Sequence, residues 1–346
     1  MPPGATLKET IEARGISQAE LAARAGMAEK TISQIINGIA PITYETAEKL
    51  EMVLSIPARF WNRRELSYRE AIARNEANER LANDVAWLKE MPVKELRERK
   101  CIDEQPDELS RVRAILQFFG VSSVDTWHKT WGKPIAQYRG GEALERHAGY
   151  VAAWLRMGEL QADAIATEAF DASEFKRSLK EVRALTARPA AIWSKEIPKL
   201  CAPAGVAVVF TKEIPKARVS GATRWITKDK ALIQLSLKYK TDDQLWFTFF
   251  HEAGHILLHG KRQIFVENGS NRDTAEEQQA NAFARDFLIP PESAARLESL
   301  RTRQQIIAFA KRLGISPGIV VGRLQHDKLL WVTAFRDLKQ KLDWTR

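Results

Sequence analysis

The pattern of apolar and polar residues divides this chain of 346 residues into a long helical part and a later mixed part. As far as about residue 202, apolar residues recur every three or four positions, which is the spacing of amphipathic helices. Short β-branched runs typical of strands come only after that point. We predict strands over 206–210, 219–226 and 232–237, the last two joined in a hairpin by residues 227–230.

The same pattern predicts the remaining helices and the order of the domains. The charge-rich stretch 67–100 indicates one extended helix or connector. Further helices are expected over 109–119, 141–156, 172–185 and 190–201. The fold class is therefore mainly α with an α+β C-terminal part. We expect an all-α domain over 1–66, a helical middle region over 67–171, and a C-terminal domain with a small twisted sheet over 172–346.

The N-terminal stretch carries the signals of a helix-turn-helix. Ser17 and Glu20 have the spacing of a capping box that opens a helix, and Gly26 supplies the left-handed residue that ends it. In the helix that follows, Ile32 and Ile35 are spaced to pack against the first helix. We predict that this second helix enters the major groove of double-stranded operator DNA.

Polar residues on the outer face of the second helix are the candidates for base contacts, and a residue at the start of the first helix is placed for a phosphate. The candidate DNA-binding residues are Gln18, Lys30, Thr31, Ser33, Gln34 and Asn37. Residues 1–66 carry eight basic and eight acidic side chains, so the basic surface typical of a DNA-binding domain is missing. We therefore expect a homodimer that contributes two half-sites. The alternative is a helical pair used only for protein contacts.

The sequence His-Glu-Ala-Gly-His over 251–255 indicates a metallopeptidase. His251 and His255 are four residues apart, so on a helix they share one face and can bind one metal ion. Glu252 follows His251 and is placed to act as the base on water that zinc activates. The alternative is that both histidines are buried helix residues, or that the zinc site is structural.

Two histidines need a third ligand, and the stretch 276–284 supplies a carboxylate on a later predicted helix. Glu277 is the favoured candidate because Asn281, one turn later, can support the site as a polar neighbour of the ligands. Glu276 is the rival, on a different side of that helix. His259 is interpreted as a helix-end residue, with a fourth ligand as the alternative. Candidates for stabilising the oxyanion are His326 and Tyr239.

These motifs resemble two known families. HEAGH, followed by E-x-x-A-N-x-F-A and then F-L-I-P, resembles the ImmA/IrrE family of zinc metallopeptidases from about residue 172 onward. That resemblance implies a gluzincin-like fold, Zn²⁺ held by His251, His255 and Glu277, and Glu252 as catalytic base. It also implies a protein substrate that is a regulator such as a DNA-bound repressor. Residues 7–61 resemble an Xre-type domain of the HigA-like kind.

Composition adds three constraints. No apolar run approaches the length of a membrane span, and the first residues are unlike a signal peptide. Cys101 and Cys201 are too few for a disulfide framework, which fits a reducing cytoplasm. The net charge of +9 is uneven, since residues 291–346 hold eleven basic and five acidic side chains. That region is either a nucleic-acid or acidic-partner surface or a solvated face; within it, 309–324 mimics a second helix-turn-helix but is interpreted as structural.

The expected function is a cytoplasmic, DNA-binding transcription regulator with a zinc endopeptidase domain. Its substrate would be a repressor-type protein, either a partner or the chain itself, cleaved in response to a stress or phage-related signal. The alternative is a HigA-like antitoxin or repressor whose peptidase fold only senses or binds a partner.

Overall fold

The computed structural model describes residues 2–132, 135, 147–260, 265–267 and 274–344. It divides the chain into two compact units, 1–85 and 86–346, and each contains a hydrophobic core of its own. The domain boundaries expected after residues 66 and 171 stay a prediction. In the described part of the chain, no helix is both long enough and apolar enough to cross a membrane.

The N-terminal unit consists of five helices around a small apolar core. Leu21, Ile32, Ile35 and Trp61 are almost completely buried in that core. Apolar residues at helical spacing therefore hold the two helices of the predicted motif together, as the sequence indicated. The helices are α1 (Pro3–Ala13), α2 (Gln18–Ala25), α3 (Glu29–Ile36), α4 (Tyr44–Leu54) and α5 (Ala58–Asn83).

The turn between α2 and α3 matches the predicted motif with one difference. The Ser17 hydroxyl accepts the backbone N–H of Glu20 at 3.1 Å, and Gly26 ends α2 with φ 62° and ψ 40°. The carboxylate of Glu20, however, pairs with Arg24 one turn later. Only half of the predicted capping box therefore forms. As expected from its side chain, Ala28 offers no capping bond to the start of α3.

The second unit opens with short helices, and of the two alternatives for 67–100, an extended helix or a connector, the structure excludes the single helix. The expected single helix over 67–100 is broken, because α5 ends at Asn83 and a 3₁₀ segment, Val85–Glu90, follows. Trp87 and Met91 turn inward at the break and are buried, which an uninterrupted solvated helix would not permit. The next helices are α6 (Val93–Glu98), α7 (Glu108–Phe119), α8 (Val124–Trp127), α9 (Ala148–Asp163), α10 (Ala172–Leu185) and α11 (Ala190–Cys201).

The predictions for α7, α10 and α11 are confirmed to within one residue. The helix predicted over 141–156 corresponds to α9, which continues to Asp163. The first six residues of that predicted helix, 141–146, lie outside the described residues.

A four-stranded mixed sheet follows, in the order β1-β3-β2-β4. β1 pairs with β3 in parallel, whereas β2 pairs antiparallel with both β3 and β4. The predicted hairpin is confirmed by the pairing of Thr227 with Lys230. The fourth strand was not predicted from the sequence. The strands are β1 (Val206–Phe210), β2 (Gly221–Thr227), β3 (Lys230–Leu235) and β4 (Phe265–Glu267).

Both faces of the sheet are covered, which explains why its strands have few polar residues. Val206 and Val208 point into the main core with α11, while Ala207 and Val209 pack with Ala162 of α9 on the other face. Hydrogen bonds fix α9 in place: the Trp154 Nε1–H donates to the Thr211 carbonyl, and the Gln234 side chain donates to the Trp154 carbonyl. The later part of the predicted middle region is thus one layer of the sheet domain.

The helix that follows β3 is α12 (Asp242–Leu258), and the later helices pack around it. These are α13 (Ala275–Leu288), α14 (Pro291–Ala294), α15 (Arg303–Leu313) and α16 (Pro317–His326). Ile306, Phe309, Val320 and Leu324 are buried in the main core, so the segment that mimics a helix-turn-helix is a packing pair, as interpreted from the sequence. Arg183 of α10 donates to the carbonyls of Phe287, Leu288 and Leu313, which holds the ends of α13 and α15.

Candidate metal centre and nucleic-acid interface

The helix α12 carries the HEAGH motif through the middle of the second unit. Trp246, Phe249, Phe250 and Ala253 are completely buried and anchor the helix in the main core. Thr241 is the N-cap residue of this helix, and Asp242 and Asp243 both lie inside its first turn.

Glycine at position 254 allows the next helix to approach α12 closely. A Cβ atom at Gly254 would lie 3.2 Å from the Cα of Ala280 and 3.2 Å from the Phe283 ring, tighter than ordinary van der Waals contact. The start of α13 is fixed by Thr274, whose hydroxyl accepts the backbone N–H of Glu277 at 3.2 Å. This close packing brings the first turn of α13 against the metal-binding motif.

Three side chains from α12 and α13 converge. The Nε2 atoms of His251 and His255 lie 3.0 Å apart. Glu277 places Oε2 3.2 Å from His251 Nε2 and Oε1 3.5 Å from His255 Nε2. One ligand atom from each of the three residues lies within 4.8 Å of the others, and all three residues are buried. We call these residues the HHE cluster. The rival carboxylate, Glu276, is outside it.

A second layer of polar contacts orients the two imidazoles. His251 Nδ1 lies 3.0 Å from Asn281 Oδ1, an amide oxygen that can only accept, so Nδ1 carries the hydrogen and Nε2 keeps its lone pair. His255 Nδ1 lies 2.9 Å from His259 Nδ1, and His259 Nε2 lies 3.0 Å from Gln279 Oε1. If Gln279 accepts from His259 Nε2, His259 Nδ1 can accept from His255, which again leaves Nε2 of His255 for a metal.

The position of His259 and Gln279 adds to what the sequence indicated. His259 follows the last residue of α12, as expected, but its ring bonds to His255 Nδ1, on the side of that ring away from the HHE cluster. Gln279 was not singled out from the sequence, because its role depends on how the chain returns after α12. Its position two residues after Glu277 gave no local signal.

Glu252 is completely buried beside the HHE cluster, under the first residue of β2. A Cβ atom at Gly221 would lie 2.8 Å from Glu252 Oε1 and 2.4 Å from the Thr248 methyl group, so only glycine fits there. The Thr223 hydroxyl donates to the Glu252 carbonyl at 3.1 Å and ties α12 to the strand. The sheet thus fixes the position of the candidate base.

The charge state of the cluster suits metal binding. Burial, together with the neighbouring imidazoles of His251 and His259, holds the pKa of His255 far below that of a free histidine. The ring is therefore neutral at pH 7, which is the form that binds a metal. Glu277 Oε2 is buried and has no hydrogen-bond donor among the described residues. A bound cation would compensate such a carboxylate. The donor set of two imidazoles and one carboxylate fits zinc.

The two candidates for oxyanion stabilisation lie outside the HHE cluster. The ring of His326 is exposed at the end of α16, where its Nδ1 lies 3.1 Å from Asp327 Oδ1. Tyr239 lies on the connection between β3 and α12 and lines a small cavity together with Gln244 and Thr248 of α12. Their roles stay predictions.

The candidate DNA-contacting residues of α2 and α3 lie outside the core of the N-terminal unit. Ile32 and Ile35 are buried, whereas the six polar candidates, Gln18, Lys30, Thr31, Ser33, Gln34 and Asn37, are exposed or half-buried. Within this set, the Asn37 amide donates to the Ser33 hydroxyl at 3.4 Å. The second helix of the motif thus presents a polar side, which is the side that a groove of DNA would meet.

The basic C-terminal region is partly neutralised by carboxylates. Arg303 pairs with Asp337, Arg323 with Asp327, and Lys339 with Asp243. Side chains held in such pairs are less available to a nucleic acid or an acidic partner, and the role of this region stays a prediction.

Comparison with known families agrees with the geometry of the helix-turn-helix and of the HHE cluster. Residues 7–61 match the helix-turn-helix family model HTH_3. Residues 205–325 match the IrrE N-terminal-like domain of the peptidase family M78, and this range contains the whole HHE cluster. A comparison with curated proteins gives no match. The chain therefore joins a helix-turn-helix domain of the Xre-like kind to an IrrE/ImmA-like domain of the M78 peptidase family.

Proposed function

We propose that this protein is a DNA-binding regulator whose M78 domain is a zinc-dependent endopeptidase. The observation that carries the proposal is the convergence of His251, His255 and Glu277 beside the buried carboxylate of Glu252. A structural zinc site uses four protein ligands, whereas three ligands leave a coordination position for chemistry. The HHE cluster has three.

In this proposal the three residues of the HHE cluster hold the zinc ion, and Asn281 and His259 orient its histidines. Zinc bound there supplies Lewis-acid catalysis by polarising the scissile carbonyl and making water more acidic. The chain's own chemical contribution is proton transfer. A carboxylate oxygen of Glu252 accepts the proton from the attacking water and then gives it to the leaving amine nitrogen.

The substrate is proposed to be a repressor-type protein, either a partner or this chain itself. The support is the covalent link between the peptidase domain and a helix-turn-helix domain. A regulator bound at an operator would bring the peptidase to other proteins on the same DNA. Cys101 and Cys201 are both free, which fits action in the cytoplasm under a stress or phage-related signal.

The test compares cleavage by the wild type and Glu252→Gln. The amide has the shape of the carboxylate but cannot accept a proton, so we expect the variant to keep its fold and zinc and to lose at least about 100-fold in cleavage rate. Each is co-expressed with transcription regulators encoded near its gene, and cleavage is followed by intact-mass spectrometry. Glu276→Gln, a neutralised carboxylate outside the HHE cluster, is the matched control and should cut normally.

The possible outcomes separate the two candidate functions. Equal cleavage by wild type and Glu252→Gln would remove Glu252 from the mechanism. Zinc binding without cleavage of any partner or of the chain itself would favour the alternative, a repressor or antitoxin whose peptidase fold only binds a partner.

A further inference from the structure

Two large apolar residues of α12 are exposed, although apolar contacts bury most of that helix. Phe247 is 37% exposed and Leu258 is 50% exposed. Within the described residues, neither belongs to the main core or packs against it, unlike the other apolar residues of α12. Their exposed apolar surface therefore contributes little to the stability of the fold and is available for a contact with another molecule.

Both residues lie on the side of α12 that carries the two histidines of the HHE cluster. With about 100° between successive residues, Phe247 and Leu258 fall in the same sector of the helix as those histidines, a sector about 80° wide. Phe247 precedes the first histidine by four residues, and Leu258 follows the second by three. The two exposed apolar residues therefore flank the HHE cluster along the helix, and we call them the flanking pair.

Phe247 lies directly beside a member of the HHE cluster. The centroid of its ring lies 6.2 Å from that of the His251 ring, and the two planes are inclined by 31°. Because His251 itself is almost completely buried, Phe247 forms an exposed edge next to a buried ligand. A peptide whose carbonyl reaches the HHE cluster can therefore place a side chain on the exposed part of the Phe247 ring.

Leu258 is placed at the opposite end of the same side. It is the last residue of α12, and helical side chains lean toward the N-terminal end of their helix, which for Leu258 is the turn that carries His255. Eleven residues separate Phe247 from Leu258, or about 16 Å along a helix. An extended peptide covers about 3.3 Å per residue, so a segment of about five residues is long enough to meet both.

We propose that the flanking pair binds large apolar side chains of the protein substrate on the two sides of the cleaved bond, a proposal that rests on the proposed peptidase function. The occupant is a peptide segment because the pair is continuous with the HHE cluster, where the bond would be cleaved. Leu, Ile, Phe or Met within about three residues of the bond is then preferred over a polar residue. Such residues are mostly buried in folded proteins, so the cleaved segment has to be one that the regulator exposes.

The first experiment measures this preference during cleavage. The zinc-loaded full-length protein is incubated with a library of peptides from digested bacterial proteins, and the cleaved bonds are located by mass spectrometry. Wild type should enrich large apolar residues on both sides of the bond. Phe247→Ser should lose the enrichment on one side and Leu258→Ser on the other, whereas Phe247→Leu should keep it.

A pair of peptides separates substrate recognition from damage to the HHE cluster. One peptide is taken from the cleaved set, and in the other Ser replaces the apolar residue on the side that Phe247→Ser affects. This variant should raise KM for the apolar peptide about tenfold with little change in kcat, and should leave the Ser peptide unchanged. A fall of kcat on both peptides together with a loss of zinc would mean that Phe247 only supports His251, and would overturn the proposal.

The matched control removes two other apolar side chains of similar exposure. Ile192 on α11 is 44% exposed and Ile307 on α15 is 39% exposed, and neither helix carries a member of the HHE cluster. We expect Ile192→Ser/Ile307→Ser to keep the wild-type preference. A loss as large as in Phe247→Ser/Leu258→Ser would overturn the proposal. So would a flanking-pair variant that keeps the preference but loses self-association in analytical ultracentrifugation, because the pair would then be an interface between copies of this chain.

A second experiment does not depend on cleavage. Two hydroxamates, which bind zinc through their oxygen atoms, carry either a leucine side chain or glycine in its place, and their affinities for the zinc-loaded full-length protein are measured by calorimetry. The leucine compound should bind the wild type about tenfold more tightly than the glycine compound. Phe247→Ser/Leu258→Ser should bind the two compounds equally. This result without Glu252-dependent cleavage would reject the peptidase function while supporting an apolar site beside the metal.

The opposite combination rejects the flanking pair alone. Glu252-dependent cleavage with no apolar preference, and the same difference between the two hydroxamates in wild type and in Phe247→Ser/Leu258→Ser, would overturn the proposal and leave the peptidase function standing.

Discussion

In each histidine of the HHE cluster, the hydrogen bond made by Nδ1 determines the orientation of the ring. His251 uses Nδ1 to contact Asn281, and His255 uses the same atom to contact His259. In both rings this leaves Nε2 directed toward Glu277. The partner of a metal-binding histidine sets its tautomer and its orientation, so these contacts bear directly on zinc affinity.

Removal of the contact behind His255 should weaken zinc binding. His259→Leu cannot accept from His255 Nδ1, and we expect its zinc affinity to fall about 10- to 100-fold. His259→Asn places an amide oxygen near the lost nitrogen and should restore much of that affinity. Zinc affinity is measured by competition with a chromogenic chelator. Equal affinities of His259→Leu and wild type would show that His255 does not need this partner.

The proposed zinc ligands can be tested by metal content. The purified wild type should contain close to one equivalent of zinc per chain, and His255→Ala and Glu277→Ala should each lose most of it, since two donors hold zinc weakly. His326→Ala removes an exposed histidine outside the HHE cluster and should keep the full equivalent. Elemental analysis after dialysis gives the answer. Full zinc in both His255→Ala and Glu277→Ala would reject the assignment.

Periodicity in the sequence accounts for part of the site and not for the rest. The spacing of His251 and His255, and of Glu277 and Asn281, is by itself enough to indicate shared helix faces. Gln279 shares no such face with Glu277. It meets His259 only because α13 returns close to the end of α12, and that long-range geometry has no local signal.

At the scale of elements, the first turn of α12 places an ionisable side chain, Asp242, in the protein interior. Asp242 is completely buried, and its carboxylate accepts from the Ser316 hydroxyl and from the backbone N–H of Gln340. Burial raises the pKa of the Asp242 carboxyl above its ordinary value, and the nearby charge of Asp243 acts in the same direction. The folded protein therefore favours the protonated carboxyl more than the unfolded chain does.

This shift predicts how stability depends on pH. The contribution of a group with a raised pKa is complete below its unfolded value and is lost as pH rises through the folded value. Asp242→Asn cannot ionise and keeps an oxygen for Gln340, so its Tm should exceed that of the wild type at pH 7. The difference should shrink toward pH 4. Tm is followed by circular dichroism across this range.

Asp286→Asn provides a control of opposite sign. The hydrogen bond from Arg285 lowers the pKa of the Asp286 carboxyl, so its contribution is present at neutral pH and is lost on acidification. That variant should be slightly less stable than the wild type at pH 7 and equal to it in acid. A Tm difference for Asp242→Asn that stays constant from pH 4 to pH 8 would contradict the raised pKa.

Elements with strong local signals were predicted well, and those fixed by tertiary contacts were not. The helices α10 and α11 and the β2–β3 hairpin follow directly from apolar spacing and turn residues. The break after α5 depends on Trp87 being drawn into a core, and β4 depends on pairing with β2. The spacing of apolar residues within each of these two segments predicts neither the break after α5 nor the strand β4.

At the scale of the whole molecule, residues 1–85 form a compact unit with its own core. The sequence indicated a functional motif at each end of the chain, and both are matched by family models. It gave no sign that α9 would cover one face of the sheet, because an apolar helix face does not reveal its partner. The separate cores imply that the proposed DNA binding and the proposed proteolysis can be separated by cutting the chain between them.

We therefore expect a fragment of residues 1–85 to bind an operator upstream of its own gene without zinc. Its N-terminal 66 residues have balanced charge, so phosphate contacts alone cannot hold it, and affinity should depend on side chains that reach bases. In the full chain, Gln34→Ala should cost about 1–3 kcal/mol of binding and leave zinc content unchanged. Gel-shift titration measures the operator affinity of the fragment and of the variant, with Lys8→Ala on α1 as control. Wild-type affinity in a combined Lys30, Thr31 and Gln34 alanine variant would mean that α3 is not the DNA-contacting helix, and that the domain serves protein contacts instead.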